Sequence, residues 1–186
     1  MGTSKPWLPF GGQSLLARVA QTLSGSVQPI VVVAAVDQDL PPLADEVLIA
    51  RDRAADRGPL EGIAVALSAL GDRADAAFLC SCDAALLSPA IVRGLCGLLG
   101  DFDAVAPIVD GYRQSLISVC RTSALPEIEA MLEGGERKVY PLFDRVRSRF
   151  IEEDEFRTID PDLKSVRAMN TREEYLGALA AAGFAD

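Results

Sequence analysis

Apolar and polar positions alternate along the chain in blocks that predict repeated strand–helix units. Short apolar runs at Val31–Ala35, Glu46–Arg51 and Ala76–Cys82 are typical of buried parallel strands. Between them, apolar residues recur at helical spacing, first from Ser14 to about Leu23 and then from about Leu60 to Leu70. This alternation predicts an α/β protein with a largely parallel sheet.

The second half of the chain follows a less regular pattern. Further elements are predicted at Asp103–Pro107, Leu116–Cys120, about Ser123–Glu133, Tyr140–Val146 and Arg149–Glu152. An Asp110-Gly111 turn separates the first two of these, and such a tight turn favours antiparallel neighbours and hence a mixed sheet here. Thr171 and Glu174 have the spacing of a capping box, which predicts a last helix.

Length and composition predict one domain over residues 1–186, because 186 residues with 49% hydrophobic content can bury a sizeable core. The charge balance, 18 basic against 27 acidic residues for a net charge of −9, argues against unspecific binding to nucleic acid or to an anionic membrane. No apolar run reaches the roughly 18–20 residues that span a bilayer. We therefore expect a cytoplasmic protein. The chain contains no histidine, which excludes histidine-dependent chemistry.

A single carboxylate, Asp83, follows directly after the predicted strand Ala76–Cys82, and Ser88-Pro89 then begins a helix. Open α/β sheets bind ligands beyond the carboxyl ends of their strands, so Asp83 is a candidate ligand-binding residue. Many acidic residues in such a position are merely loop caps.

Two further segments could either bind a ligand or have no role beyond the fold. The loop that begins at Asp52 ends in the Gly58–Gly62 turn, where glycines allow a ligand to approach the backbone and a helix start offers N–H donors. The same segment could be an ordinary connection. Likewise, Arg137 and Lys138 follow a predicted helix, where they are either solvated or able to receive a phosphate.

Four motifs occur along the chain in a characteristic order. They are M-G-x-x-K-x-x-L (Met1, Gly2, Lys5, Leu8), D-x5-G-P-L-x-G (Asp52, Gly58, Pro59, Leu60, Gly62), C-D (Cys82, Asp83) and N-T-x-E-E (Asn170, Thr171, Glu173, Glu174). In order and spacing they resemble the molybdenum cofactor guanylyltransferases, within the larger group of sugar and cofactor nucleotidyltransferases. The resemblance covers essentially the whole chain. It implies a Rossmann-like three-layer fold with a mostly parallel sheet, and transfer of GMP from GTP to molybdopterin with release of pyrophosphate.

The resemblance also implies roles for individual residues. Asp83 matches the metal aspartate and would hold Mg²⁺, with Asn170 close to the metal and the phosphates. Lys5 would stabilise the transition state and the leaving pyrophosphate, which makes Lys5 and Asp83 the catalytic pair. The nucleotide would be bound by Lys5, Asp52, Gly58, Pro59, Leu60, Gly62 and Asp83, and the acceptor by Arg137 and Lys138. The reaction is a direct displacement and requires no covalent intermediate.

The sequence departs from the family pattern at its start and at two other places. The family opens with a strand and the loop L-A-G-G-x-S-x-R-M-G, whereas this sequence starts at the final M-G. We therefore expect that the native protein begins upstream, that Met1 is internal to the loop, and that a strand is missing from the middle of the sheet. Gln114-Ser115 replaces a histidine-proline pair of the acceptor side, and Ala168 replaces an asparagine near the metal.

Other functions remain compatible with these residues. A close alternative is the same chemistry with CTP, or with a sugar phosphate as the acceptor, because the resemblance places base choice largely in the opening loop that this sequence lacks. A relative that binds a nucleotide without catalysis is a further alternative, because the glycine loop is absent. The resemblance is also compatible with transient contact with molybdoenzyme maturation proteins.

Overall fold

A computed structural model describes residues 4–54, 57–167 and 169–184, so Met1 and Gly2 of the first motif, and Ala168, lie outside the described residues. The strands are β1 (Pro9–Phe10), β2 (Gln13–Ser14), β3 (Val31–Ala34), β4 (Leu48–Arg51), β5 (Ala76–Cys80), β6 (Ala104–Val109), β7 (Tyr112–Arg113), β8 (Ile117–Arg121) and β9 (Ser148–Ile151). The helices are α1 (Leu15–Ser24), α2 (Gly58–Leu70), α3 (Pro89–Gly97), α4 (Leu125–Glu133), α5 (Leu142–Arg145), α6 (Glu153–Phe156) and α7 (Arg172–Ala181).

Helices cover both faces of the central strands, as the alternation of side chains along β6 illustrates. Val105 packs into a buried cluster with residues of α1 and α3, such as Val19 and Leu95. Its neighbours Ala104 and Ala106 pack into a second cluster with residues of α2 and α4. Because successive strand residues point to opposite faces, these two clusters form the interfaces of a three-layer α/β/α fold. The predicted fold class is confirmed.

The sheet is mixed, because β5, β6 and β9 run in one direction and β8 runs in the other. Strand β8 pairs antiparallel with both β5 and β6, whereas β9 pairs parallel with β6. The reversal begins at the Asp110-Gly111 turn, where both residues have positive φ, 51° and 77°. Positive φ at both central residues is what a tight hairpin turn requires. The parallel arrangement implied by the resemblance is thus interrupted by the reversed strand β8, as the turn itself predicted.

A gap separates β3 and β4, which pair parallel with each other, from the sheet that contains β5. The gap is a cavity of about 480 Å³ lined by Val31 and Val33 of β3 and by all of β5. Helix α2 borders the cavity with residues such as Ile63, and Leu23 and Leu99 are among its other lining residues. Within the described residues, no strand pairs with the edges of β3 and β5 that border the cavity.

Several element boundaries differ from the predicted ones in ways that affect the site. Strand β5 ends at Cys80 rather than Cys82, so Ser81, Cys82 and Asp83 lie in the turn that follows. Helix α2 begins at Gly58, two residues before the predicted start, and includes the whole Gly58–Gly62 turn. Among the described residues, every helix is too short or too polar to cross a bilayer.

Candidate functional site

Four side chains from three distant parts of the chain meet beyond the end of β5. Lys5 Nζ donates hydrogen bonds to Asp83 Oδ2 at 2.7 Å and to Asn170 Oδ1 at 2.7 Å. The hydroxyl of Ser81 donates to the other carboxylate oxygen, Asp83 Oδ1. We call Lys5, Ser81, Asp83 and Asn170 the Lys5 cluster. It brings together three residues that the sequence singled out, whereas Ser81 was not predicted, since a serine two residues before an aspartate carries no specific signal.

The amino-terminal segment and α7 pack on each other and so deliver Lys5 and Asn170 to the same place. Lys5 begins a short 3-10 turn that leads into the β1–β2 hairpin. The Tyr175 hydroxyl on α7 donates a hydrogen bond to the carbonyl of Pro9 in that hairpin. Beneath it, Phe10 and Met169 are buried in one apolar cluster, which holds the two segments together.

The capping box at the start of α7 also fixes Asn170. The Glu174 carboxylate accepts hydrogen bonds from the backbone N–H groups of Asn170 at 2.7 Å and of Thr171 at 2.8 Å. In return, Thr171 Oγ1 accepts from the backbone N–H of Glu174 at 3.1 Å. The predicted capping box is confirmed. It anchors the backbone of Asn170 one residue before the helix cap.

The Lys5 cluster keeps Asp83 ionised. Burial would by itself raise the pKa of Asp83, but the hydrogen bonds from Lys5 and Ser81 and the positive charge of Lys5 outweigh this effect. The net result is a pKa below the usual value of 3.8. The side chains of Lys5 and Asp83 are 34% and 20% exposed, so the carboxylate remains within reach of a ligand from solvent.

The donor atoms of this cluster fit a small hard cation. Asp83 supplies a carboxylate oxygen, and Asn170 an amide oxygen, and both already converge on one positive charge, the Lys5 ammonium group. Mg²⁺ prefers oxygen ligands, and it commonly binds through one or two carboxylates together with water and substrate phosphates. Within the described ranges, no cluster of three or more acidic, cysteine or histidine side chains offers an alternative metal site.

A second group of predicted residues surrounds the start of α2. A Cβ atom built on Gly62 would lie 4.0 Å from Asp52 Oδ1, so the turn passes close to this carboxylate. The pKa of Asp52 is raised by burial and, to a smaller extent, by the negative charge of Glu61. Gly58 has a φ of +74°, and a Cβ there would come within 2.8 Å of the Arg137 carbonyl oxygen. Only glycine therefore fits at this position.

The basic segment after α4 is held against the same turn. The backbone N–H of Leu60 donates to the Arg137 carbonyl at 3.2 Å, so this N–H of the α2 start is already engaged. Glu136 accepts from the backbone N–H groups of Arg137 at 2.8 Å and Lys138 at 2.9 Å. Lys138 Nζ lies 5.8 Å from the ring centre of Tyr140, which is half exposed. Tyr140 was not among the predicted site residues.

The cavity between β3 and β5 connects the two groups. Pro59 and Gly62 line it from the start of α2, and Ser81 and Cys82 line it from the segment that leads into Asp83. Of the predicted nucleotide-binding residues, Pro59 and Gly62 line this cavity, whereas Lys5, Asp52, Gly58, Leu60 and Asp83 do not. The cavity itself lies between the strands, but Asp83 and the start of α2 follow the carboxyl ends of β5 and β4, where open α/β sheets bind their ligands. The ionised carboxylate of Asp83, the lysine and the amide oxygen of Asn170 suit the binding of a metal-associated polyphosphate there.

Comparisons with known proteins identify the family. The family described as the MobA-like NTP transferase domain matches residues 1–148. A molybdenum cofactor guanylyltransferase from Desulfosudis oleivorans is 30% identical over 181 residues, covering 97% of this chain and 88% of the relative.

Solved structures show the same fold. Molybdopterin-guanine dinucleotide biosynthesis protein A from Archaeoglobus fulgidus superposes with a TM-score of 0.77 at 22% identity, covering 98% of this chain and 92% of that one. A 2-C-methyl-D-erythritol 4-phosphate cytidylyltransferase from Thermus thermophilus reaches 0.75 at 14% identity, with coverage of 96% and 94%. The chain is therefore a nucleotidyltransferase that belongs to the molybdenum cofactor guanylyltransferase family, within the MobA-like NTP transferases.

Proposed function

We propose that the protein transfers GMP from GTP to molybdopterin, with Mg²⁺ bound at the Lys5 cluster. The observation that carries this proposal is the convergence of Lys5, Asp83 and Asn170, whose charged and polar atoms meet at distances of 2.7 Å. We infer the reaction from the family to which the chain belongs, and the binding site for the GTP phosphates from this geometry. The acceptor phosphate attacks the α-phosphorus of GTP, a P–O bond forms, and the bond to pyrophosphate breaks.

The residues of the Lys5 cluster suit phosphate binding and charge stabilisation. Asp83 and Asn170 would hold Mg²⁺, which when bound would neutralise charge on the triphosphate. Lys5 brings a positive charge to the same position and would contact the oxygens that gain charge in the transition state. Ser81 orients the Asp83 carboxylate through its hydrogen bond. The attacking phosphate is already anionic, so the absence of a histidine base is no obstacle.

The start of α2 would bind the nucleoside part of GTP, and the basic segment would bind the acceptor. Asp52 lies beside Gly62, where its oxygens can accept hydrogen bonds from ribose or base. The contact between Gly58 and Arg137 places the basic segment next to the nucleotide turn. Arg137 and Lys138 would then meet the terminal phosphate of molybdopterin.

The alternative nucleotide, CTP, has no specific observation in its favour. The cytidylyltransferase from Thermus thermophilus has the same fold, but at 14% identity this likeness carries no information about the base. The cytoplasmic location and the contact with maturation proteins stay predictions.

The test is to incubate the purified protein with molybdopterin, Mg²⁺ and either GTP or CTP, and to measure pyrophosphate release and the dinucleotide product. We expect product with GTP and Mg²⁺, and none when EDTA is added. Turnover with CTP and none with GTP would replace the proposed nucleotide. Binding of Mg²⁺·GTP without turnover would instead support the non-catalytic alternative.

A further inference from the structure

Glu61 is a buried carboxylate to which the proposed reaction gives no role. It lies in the first turn of α2, inside the Gly58–Gly62 turn, and its side chain is only 1% exposed. Burying a charged carboxylate is unfavourable unless partners compensate for the lost water. A position at the start of a helix supplies part of this compensation, because the helix dipole favours negative charge there.

The two oxygens of Glu61 contact two different residues of the loop that precedes the helix. Oε1 accepts a hydrogen bond from the backbone N–H of Arg53 at 3.3 Å. Oε2 lies 3.5 Å from Nε of Arg57, an ion pair without hydrogen-bond geometry. One buried side chain therefore contacts both Arg53 and Arg57.

A second acidic residue holds the same loop from outside. The Arg53 guanidinium makes two hydrogen bonds to the Glu129 carboxylate on α4, at 2.8 and 2.6 Å. Glu129 therefore restrains the exposed side chain of Arg53, whereas Glu61 restrains its backbone. Asp52 directly precedes Arg53, and its own N–H donates to the carbonyl of Ala34 at 2.9 Å. The position of Asp52 thus depends on β3 on one side and on the anchored Arg53 on the other.

We propose that Glu61 is a positioning residue of the nucleotide site, which holds the backbone at Arg53 and thereby fixes Asp52 beside the Gly58–Gly62 turn. The inference rests on the proposed function in one respect, namely that Asp52 binds the nucleotide. Glu61 also lies close enough to Asp52 to contribute to the raised pKa of that carboxyl, after the larger effect of burial.

Three variants separate this role from ordinary structural support. Glu61→Ala removes both contacts, Glu61→Gln keeps an oxygen that can accept from Arg53 but removes the charge, and Glu129→Gln weakens only the outer contact. We expect Glu61→Ala to raise KM for GTP about tenfold, the effect of losing roughly one good hydrogen bond, while kcat changes little. Glu61→Gln should recover part of this loss, and Glu129→Gln should stay close to the wild type.

Two further readouts require no nucleotide. Hydrogen exchange at the Arg53 amide should become faster in Glu61→Ala and remain slow in Glu129→Gln. The pKa of Asp52, followed by carboxyl NMR, should fall in both Glu61 variants because a neighbouring negative charge is lost. An unchanged Arg53 exchange rate together with an unchanged Asp52 titration would overturn the inference. Because both readouts work on the free protein, they separate its failure from a failure of the proposed function.

Discussion

The ammonium group of Lys5 lies 2.7 Å from the Asp83 carboxylate, although 78 positions separate the two residues along the chain. The contact places the opening segment of the described chain directly on the turn that follows β5. The two charged groups therefore interact directly, so replacing either residue changes the electrostatic environment of the other side chain.

Replacing Asp83 by asparagine should abolish transfer and leave the fold intact. The variant removes the carboxylate that would hold the metal, and we expect a loss of at least about 100-fold in kcat, in the range found for other preorganised charge-stabilising groups. The lost ion pair is partly exposed, so the free energy of unfolding should change by no more than about 1 kcal/mol. Pyrophosphate release and denaturant unfolding measure the two effects. Asp162→Asn, which breaks the exposed pair with Lys164, is the matched control; equal losses in both variants would contradict a metal role.

Replacing Lys5 by alanine should lower the rate more than it lowers stability. The variant removes positive charge from the place where the phosphates would lie, and we expect kcat to fall about 100-fold. Without the lysine, the pKa of Asp83 should rise, because its main stabilising partner is lost. Single-turnover kinetics and carboxyl NMR of Asp83 test these expectations. Wild-type rates in Lys5→Ala, with Lys164→Ala as the reference, would remove Lys5 from the mechanism.

The lowered pKa of Asp83 predicts an acid-dependent contribution to stability. A carboxyl group whose pKa is lower in the folded state stabilises the fold fully above its unfolded pKa, near 3.8. The contribution is lost as the pH falls through the folded pKa, so wild-type unfolding should become easier below pH 3.8. The difference in unfolding free energy between the wild type and Asp83→Asn should shrink in the same range. A difference that is constant from pH 7 down to pH 2.5 would contradict the pairing.

The contact between Gly58 and Arg137 can be tested against a glycine with similar backbone geometry. Gly58→Ala combines the strain of a positive φ with a Cβ that meets the Arg137 carbonyl, whereas Gly135→Ala has a φ of +85° and open space around it. We expect Gly135→Ala to lower the free energy of unfolding by about 1–2 kcal/mol, the cost of a positive φ for alanine. Gly58→Ala should lower it further. Gly58→Ala alone should also weaken nucleotide binding. Equal effects in unfolding and in GTP titration would show that the contact is unimportant.

The cavity between β3 and β5 should accept one added strand. The variant carries an apolar strand before Met1 that is as long as β5, which has 5 residues. Each apolar side chain that becomes fully buried in the cavity would stabilise the fold by about 1.5–3 kcal/mol. We expect Tm to rise by at least about 5 °C and the amides of β3 and β5 to exchange more slowly. A control extension with aspartate at alternate positions should do neither. Equal stabilisation by both extensions would show that the added strand does not pack in the cavity.

Local patterns predicted most of the secondary structure because their signals are short-range. Ser14, Ser88 and Thr171 cap their helices as their positions before apolar periodic segments indicated, and the Asp110-Gly111 turn reverses the chain. In the Lys5 cluster, Asp83 was singled out by its place after the predicted strand, whereas Lys5 and Asn170 were assigned only through the resemblance. Nothing in the spacing of Lys5 and Asn170, 165 positions apart, indicates that they share a hydrogen bond.

Features that depend on packing were not predictable. Glu61 looks like an exposed helical residue in the sequence, and only the course of the preceding loop shows that it is buried. The hydrogen bond from Ser81 to Asp83 required β5 to end at Cys80, a boundary that an apolar run extending to Cys82 concealed. The neighbourhood of Gly58 and Arg137 likewise arises from the way α4 packs on α2.

The anchoring of Asn170 by the Glu174 carboxylate has a consequence for the order of events during synthesis. Because Asn170 and its anchor follow all the described strands along the chain, the sheet and most of its helices can fold while Lys5 and Asp83 still lack their third partner. The Lys5 cluster is completed only when α7 docks. A nascent chain that has not yet formed α7 would therefore carry a largely folded domain in which the proposed phosphate site is incomplete.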